Sequence, residues 1–215
     1  GGLMEVWLER WQGTDSLSLA EQIVAILESG KNALLITPLT PDRSPHLQPP
    51  APTISAFCLL PSAFCSPLLP APTLLIVGAG HCAVPLATVA HLSGFRVVVQ
   101  DDRPEFANPH RFPTAALVLT EPIEAAVQSL NDITDLYAAL VTRGYLQDAP
   151  ALKLLLQRPT QYIGMIGSEK RVRTVFHTLK QEAPSVYAAS LERVYAPSGL
   201  DIGALTPEEI AISIC

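Results

Sequence analysis

The stretch Leu74-Leu75-Ile76-Val77-Gly78-Ala79-Gly80-His81-Cys82-Ala83 decides the fold: an apolar strand runs directly into a glycine turn and then into a helix. Glycine at 78 permits the tight turn, glycine at 80 lets a phosphate approach bare backbone, and Ala83 at the third position of the pattern allows close helix–sheet packing. The helix opening here directs its unpaired N–H groups at any anion above the turn. His81, at the tip, orients the loop or touches that anion. A second strand ends at Asp101, 23 positions beyond Gly78. In a dinucleotide site a carboxylate so placed accepts hydrogen bonds from a ribose diol and repels a 2′-phosphate, which favours NAD over NADP.

Working outward, apolar runs at 74–77, 95–100, 115–119, 137–142, 161–165 and near 193–195 alternate with helical patterns near 81–93, 121–130, 148–157 and 168–181. This alternation predicts an α/β fold, a Rossmann-like doubly wound parallel sheet over residues 73–215, with its ligand crevice at the carboxyl ends of the strands. Each turn following a strand is therefore a candidate for function. Arg143 and Gly144 follow one strand and suit a phosphate or carboxylate contact, because a guanidinium offers a planar fork of donors. Asp148 is read there as a helix cap. Gly164 and Gly167 repeat the close-approach device, and Ser168 is placed to cap the next helix. Lys170, Arg171 and Arg173 read as a solvated face that lies close enough to a helix N-terminus to hold an anion. The last turn sets Asp201 between Gly199 and Gly203, a position that fits a crevice wall, and Thr206 with Glu209 forms a capping box behind Pro207.

The region before residue 73 has a different character. Residues 3–9 read as a strand, Ser18 to Glu21 as a capping box opening a helix whose Leu19, Ile23, Ile26 and Leu27 share one face, and 32–37 as a second strand. Residues 1–42 thus form a small partial β-α-β segment, too little to bury a core alone. Ten of the twenty prolines fall between Pro38 and Pro72. Proline supplies no donor to a central strand, so residues 43–72 are expected to be an extended apolar linker. Cys58 and Cys65 lie within it; four cysteines without a Cys-x-x-Cys pair give no metal framework. A formal charge of −6 over 215 residues argues against a nucleic-acid partner. With no apolar run near ~18 residues and no signal-peptide pattern, a membrane partner is not expected and a cytoplasmic location is.

Five signatures appear in order: Gly-Ala-Gly-His at 78–81, Asp-Arg-Pro-Glu-Phe at 102–106 as Asp102-Arg103-Pro104-Glu105-Phe106, Thr-Arg-Gly at 142–144, Tyr-Ile-Gly-Met-Ile-Gly-Ser at 162–168, and Gly-Leu-Asp-Ile-Gly-Ala at 199–204 with Thr-Pro-Glu-Glu at 206–209. Together they resemble the xanthine dehydrogenase accessory factor family (XdhC/CoxI type) over residues 74–215. The resemblance implies an accessory protein, a chaperone without catalytic or metal-ligating residues of its own. It would bind the molybdenum cofactor (molybdopterin) and help deliver it in sulfurated form to a molybdenum hydroxylase apoenzyme of the xanthine dehydrogenase type, with a cysteine desulfurase as a further partner and a homodimer as a conceivable assembly. The cofactor-binding residues it implies are Gly78, Gly80, His81, Ala83, Asp101, Arg103, Arg143, Gly164, Gly167, Ser168 and Asp201. It also implies that residues 1–42 are the C-terminal remnant of the family's N-terminal domain, whose Cys-Gly-Gly cysteine falls outside this sequence, and that Tyr145 and Gln147 stand where many members carry histidines. An NAD-dependent oxidoreductase and a nucleotide-binding or interaction module remain the alternatives, the first supported by Gly78–Ala83 with Asp101 but lacking an evident proton-transfer partner beyond His81.

Overall fold

A computed structural model describes residue 6 and residues 8–40, 42–49, 58–133 and 135–215. The chain divides into two units, Gly1–Pro70 and Ala71–Cys215.

In the second unit the alternation read from the sequence is realised as a six-stranded parallel sheet. Its strands are β5 (Thr73–Val77), β6 (Arg96–Gln100), β7 (Leu117–Leu119), β8 (Leu136–Leu140), β9 (Tyr162–Met165) and β10 (Val194–Tyr195), in the order β10-β9-β8-β5-β6-β7. This is the doubly wound Rossmann order, whose direction of winding reverses between β5 and β8. Every residue of β5 is buried, because a central parallel strand is covered on both faces and needs no polar side. Leu75 and Val77 point into one core, with Leu136, Leu140, Leu152, Leu155, Val175 and Leu179. Leu74 and Ile76 point into the other, with Ala83, Leu86, Ala87 and Ala90 of α2 (Ala83–Leu92) and Ala211 of α7 (Pro207–Ile214). The small residues at 83, 87 and 90 let α2 lie close on the sheet, so Ala83 is a packing residue, wholly buried. Each leucine buried in these cores contributes about 1.5–3 kcal/mol.

The first core is covered by α3 (Ile123–Ser129), α4 (Tyr145–Leu156) and α5 (Glu169–Glu182). A short helix α6 (Pro184–Ser190), which sequence reading does not anticipate, follows α5 and starts with proline at its first turn. Helix α4 begins three residues earlier than expected. Asp148 therefore sits inside its first turn rather than capping it. The two expected caps at Ser168 and Thr206 are formed, the latter as a full capping box with Glu209.

The first unit corrects the linker expectation. It contains α1 (Gly13–Glu28) and an antiparallel sheet of β1 (Ala33–Pro38), β2 (His46–Gln48), β3 (Cys58–Leu60) and β4 (Ala63–Leu68), in the order β2-β1-β4-β3. Three of these strands lie within 43–72. Pro61 and Ser62 make the two-residue connection of the β3–β4 hairpin, in which Cys58 stands directly opposite Cys65. Pro67 lies within β4, in register with Leu34 of β1. Helix α1 starts five residues before Ser18, whose hydroxyl accepts a hydrogen bond from Gln22 instead of capping. Its expected apolar face is nevertheless the less exposed one: Leu19, Ile23, Ile26 and Leu27 are half-buried. The strand expected at 3–9 falls largely outside the described residues, and Val6, Leu8 and Glu9 belong to no strand. Among the described residues, no helix is long and apolar enough to cross a membrane.

Candidate functional site

The glycine turn sits at the carboxyl end of β5, beside the reversal in strand order. Gly78 has φ +98°, and a Cβ there would lie 2.8 Å from Thr142 Cα and 2.8 Å from the Val141 carbonyl oxygen. Close approach of the chain leaving β8 is therefore what demands glycine at this position. Gly80 is different. A Cβ at Gly80 would meet nothing within 4 Å. The fold places no steric demand on it, so the bare backbone at 80 faces open space. The N–H groups of Gly78 and Ala79 are occupied, donating to the Gln100 carbonyl at 2.7 Å and to Asp101 Oδ2 at 2.8 Å. Those of Gly80, His81 and Cys82, just ahead of α2, make no hydrogen bond among the described residues. His81 is exposed.

Asp101 follows β6 and is 6% exposed. Its carboxylate accepts four hydrogen bonds: Ala79 N–H and Arg103 Nη2 donate to Oδ2 at 2.8 Å each, while Arg103 Nε at 2.8 Å and Arg103 N–H at 3.1 Å donate to Oδ1. A carboxylate has about four lone-pair positions, and here each has a donor. Burial pushes the carboxyl up, but the hydrogen bonds from Arg103 and Ala79 outweigh it and hold the group at about 2. The same pairing raises the Arg103 guanidinium above its ordinary value. Asp101 is thus an internal strut, and the ribose-reading role expected from its position in the sequence has no acceptor left to perform it. Arg103 also lies over the Phe106 ring at 3.9 Å, and Arg111 Nη1 donates to the carbonyls of Ala79 at 2.7 Å and Phe106 at 2.8 Å. The Asp-Arg-Pro-Glu-Phe segment is in this way strapped to the glycine turn through Arg111, a residue that sequence reading passes over.

On the other side of Gly78 a crevice of about 350 Å³ opens at the ends of β5, β6 and β8. Pro122, Ile123, Leu146 and Pro150 give it apolar walls, and Gln100, Asp102, Glu124 and Arg143 bring polar groups to it. Gln100 is 4% exposed; its Nε2 donates to the Glu121 carbonyl at 2.9 Å, and its Oε1 has no partner among the described residues. Gln100 borders the crevice. Arg143 leans on Asp102 at 3.4 Å, with both side chains substantially exposed.

A buried network holds the β8 end of the crevice in place. Asp148, fully buried, accepts from Arg171 Nε at 2.6 Å and Nη2 at 2.8 Å, and from the Thr142 hydroxyl at 2.6 Å. Arg171 Nη2 further donates to the Thr142 carbonyl at 3.1 Å. Arg171 is consequently turned inward, against the expectation of a solvated face. Arg173 does lie on that face, paired with Glu169.

The expected site residues therefore separate. Gly78, Asp101 and Arg143 line the crevice, and Gly80, His81 and Ala83 belong to the adjoining turn and helix start. Arg103 is committed to Asp101. Gly164 serves packing: a Cβ there would fall 2.5 Å from Ser198 Oγ and 2.6 Å from Tyr162 Oη, two groups that hydrogen-bond each other at 2.8 Å. Burial pushes the Tyr162 hydroxyl up. Gly167 packs beside the Arg171 side chain, Ser168 caps α5, and Asp201 lies in an exposed loop, accepting from Gly203 N–H; none of these borders the crevice. Sequence reasoning misses Gln100, Asp102 and Arg111 as site residues. A glutamine closing the run Val97-Val98-Val99 is the signal that could have found the first. Burial and the nearby Glu208 carboxylate push the Cys82 thiol up, which keeps it protonated and a poor metal ligand. Among the described residues, no group of three His, Cys, Asp or Glu side chains is placed to hold a metal ion.

Residues 74–215 match the XdhC Rossmann domain. The uncharacterised protein YqeB of Escherichia coli K12 is 35% identical over 144 residues, which span 66% of this chain and 26% of that protein. A probable xanthine dehydrogenase subunit of Bacillus subtilis strain 168 is 34% identical over 145 residues, 67% of this chain and 41% of that one. Among solved structures, a xanthine dehydrogenase from Bacillus halodurans superposes with a TM-score of 0.68 at 27% identity, covering 90% of this chain and 60% of that chain. The matched region is thus less than half the length of either curated relative.

Proposed function

The chain belongs to the XdhC Rossmann-domain family, and on that premise we propose that it is an accessory protein in the maturation of a xanthine dehydrogenase-type molybdenum hydroxylase, carrying molybdopterin as cargo. The observation that carries this reading is the open backbone at Gly80 beside the crevice: the fold does not require glycine there, whereas a phosphate-bearing ligand does. Molybdopterin has a flat ring, a phosphate and a dithiolene that carries the metal. The crevice residues fit the ring, and the amides of Gly80, His81 and Cys82 with the start of α2 fit the phosphate. Among the described residues, those lining the crevice supply hydrogen-bonding and apolar groups rather than thiolates. The cargo supplies the metal centre of the hydroxylase; this chain's residues bind and orient it. The apoenzyme is the recipient, and a cysteine desulfurase is the source of the sulfur.

The oxidoreductase alternative is disfavoured by Asp101, whose acceptor positions are filled by Ala79 and Arg103. Native mass spectrometry of the protein purified from molybdenum-replete cells tests the proposal. The expected spectrum contains a retained mass matching molybdopterin or its metallated form. A protein that retains none, binds none when the cofactor is supplied, and does not raise the activity of apo-hydroxylase would sink it.

A further inference from the structure

The polar side chains bordering the crevice are mostly acceptors. Gln100 presents an Oε1 without a partner among the described residues on a side chain that is 96% buried, its Nε2 being fixed on the Glu121 carbonyl. Asp102, two positions on, borders the same space, whereas the intervening Asp101 has no free acceptor. The contact between Asp102 and Arg143, 3.4 and 3.5 Å to its two oxygens, is too long to use up the carboxylate. Among the described residues, Arg143 is the cation that borders the crevice. Pro122 and Leu146 supply apolar surface for the faces of a ring.

We propose that this crevice is a slot for a flat heterocycle bearing the 2-amino-4-oxopyrimidine edge shared by guanine and pterins, with Asp102 and Gln100 accepting from its ring N–H and amino group and Arg143 donating to its oxo oxygen. The inference rests on the proposed cargo role, since molybdopterin carries that edge, but it specifies which groups do the reading. Complementarity is the reason. The edge carries one acceptor and two donors, and the crevice is bordered by the donor Arg143 and the acceptors Asp102 and Gln100. Adenine exchanges the two kinds of group, presenting a ring-nitrogen acceptor to the carboxylate and an amino donor to the guanidinium. Hypoxanthine keeps the oxo and N–H groups but lacks the amino donor, leaving one buried acceptor unmatched.

Isothermal titration of the purified protein with GMP, IMP, AMP and 6-hydroxymethylpterin tests this directly. GMP or the pterin, or both, are expected to bind, with IMP and AMP weaker than GMP by about tenfold or more. The tighter of GMP and the pterin identifies the source of the edge. Asp102→Ala, which removes the acceptor for the ring N–H that GMP and IMP share, is expected to weaken both by about tenfold and to leave GMP the tighter of the two. GMP and IMP of equal affinity, AMP as tight as GMP, or neither GMP nor the pterin binding would each overturn the assignment, and the comparison among ligands on the unaltered protein needs no variant to fold. Native mass spectrometry separates this failure from that of the accessory role. Molybdopterin retained while GMP and IMP bind equally removes the edge reading alone, and the ring preference without cofactor retention removes the cargo role alone.

Discussion

Replacing Asp101 by asparagine should show as a loss of stability, not as a change in nucleotide preference. The carboxyl lies at about 2 in the folded protein against an ordinary 3.8, a difference that corresponds to about 2 kcal/mol. Because the folded value lies below the unfolded one, this contribution is fully present above about pH 4 and is lost as the pH falls through 2. Asp101→Asn keeps an acceptor for Ala79 N–H but loses the paired bonds to Arg103, so at pH 7 it should cost about 2 kcal/mol, within the range of hydrogen bonds to charged groups. By pH 2.5 the penalty should have fallen to about a third, because the parent carboxyl is then protonating. Urea unfolding followed by far-ultraviolet circular dichroism at pH 7, 4 and 2.5 measures both quantities. A penalty under about 0.5 kcal/mol at pH 7, or one undiminished at pH 2.5, would refute the strut. So would a calorimetric titration in which the variant loses NAD affinity selectively over NADP, since that would show the carboxylate reading a ribose.

Gly80→Val should fold with unchanged thermal stability, because its Cβ enters open space, and should lose about tenfold or more of the affinity for molybdopterin; unchanged affinity would show that the turn is not the phosphate site. Gly164→Ala should cost about 1–3 kcal/mol in urea unfolding through overlap with Ser198 and Tyr162, and Ser198→Gly should recover part of it; a neutral Gly164→Ala contradicts the packing role. Asp148→Ala leaves Arg171 without its buried partner and should cost about 3–5 kcal/mol, whereas Asp148→Ala with Arg171→Met should be less damaging; additive losses would argue against the pair.

The parallel sheet is legible because its signals are local. A four- or five-residue apolar run bounded by glycine, repeated with helical patterns between, leaves few arrangements for residues 73–215, and the strand bounds differ from those read off the sequence by only one or two residues. Proline density misleads over residues 43–72. Whether a proline fits a strand depends on which neighbours pair with it, and Pro67 stands in β4 beside β1, a neighbour about thirty positions earlier. The helix caps at Ser168 and Thr206 are readable, being bonds between groups three residues apart. Asp148 resembles a cap by the same rule, and only its burial against α5 redirects it to Arg171.

The sequence by itself determined where a candidate site is to be sought: strand, Gly78–Gly80 turn and helix can follow one another in few ways, and the parallel order brings the strand ends together. It could not determine what each residue does there. Gly78 is glycine because of Val141 and Thr142, more than sixty positions away, and Asp101 is closed because Arg103 and the Ala79 amide reach it first. Gln100 has its amide nitrogen committed to the Glu121 carbonyl, which leaves its oxygen as the group it can offer at the crevice edge. Hydrogen-bonding capacity is spent among neighbours in space, so a residue's chemistry toward a ligand is what remains after tertiary contacts have drawn on it.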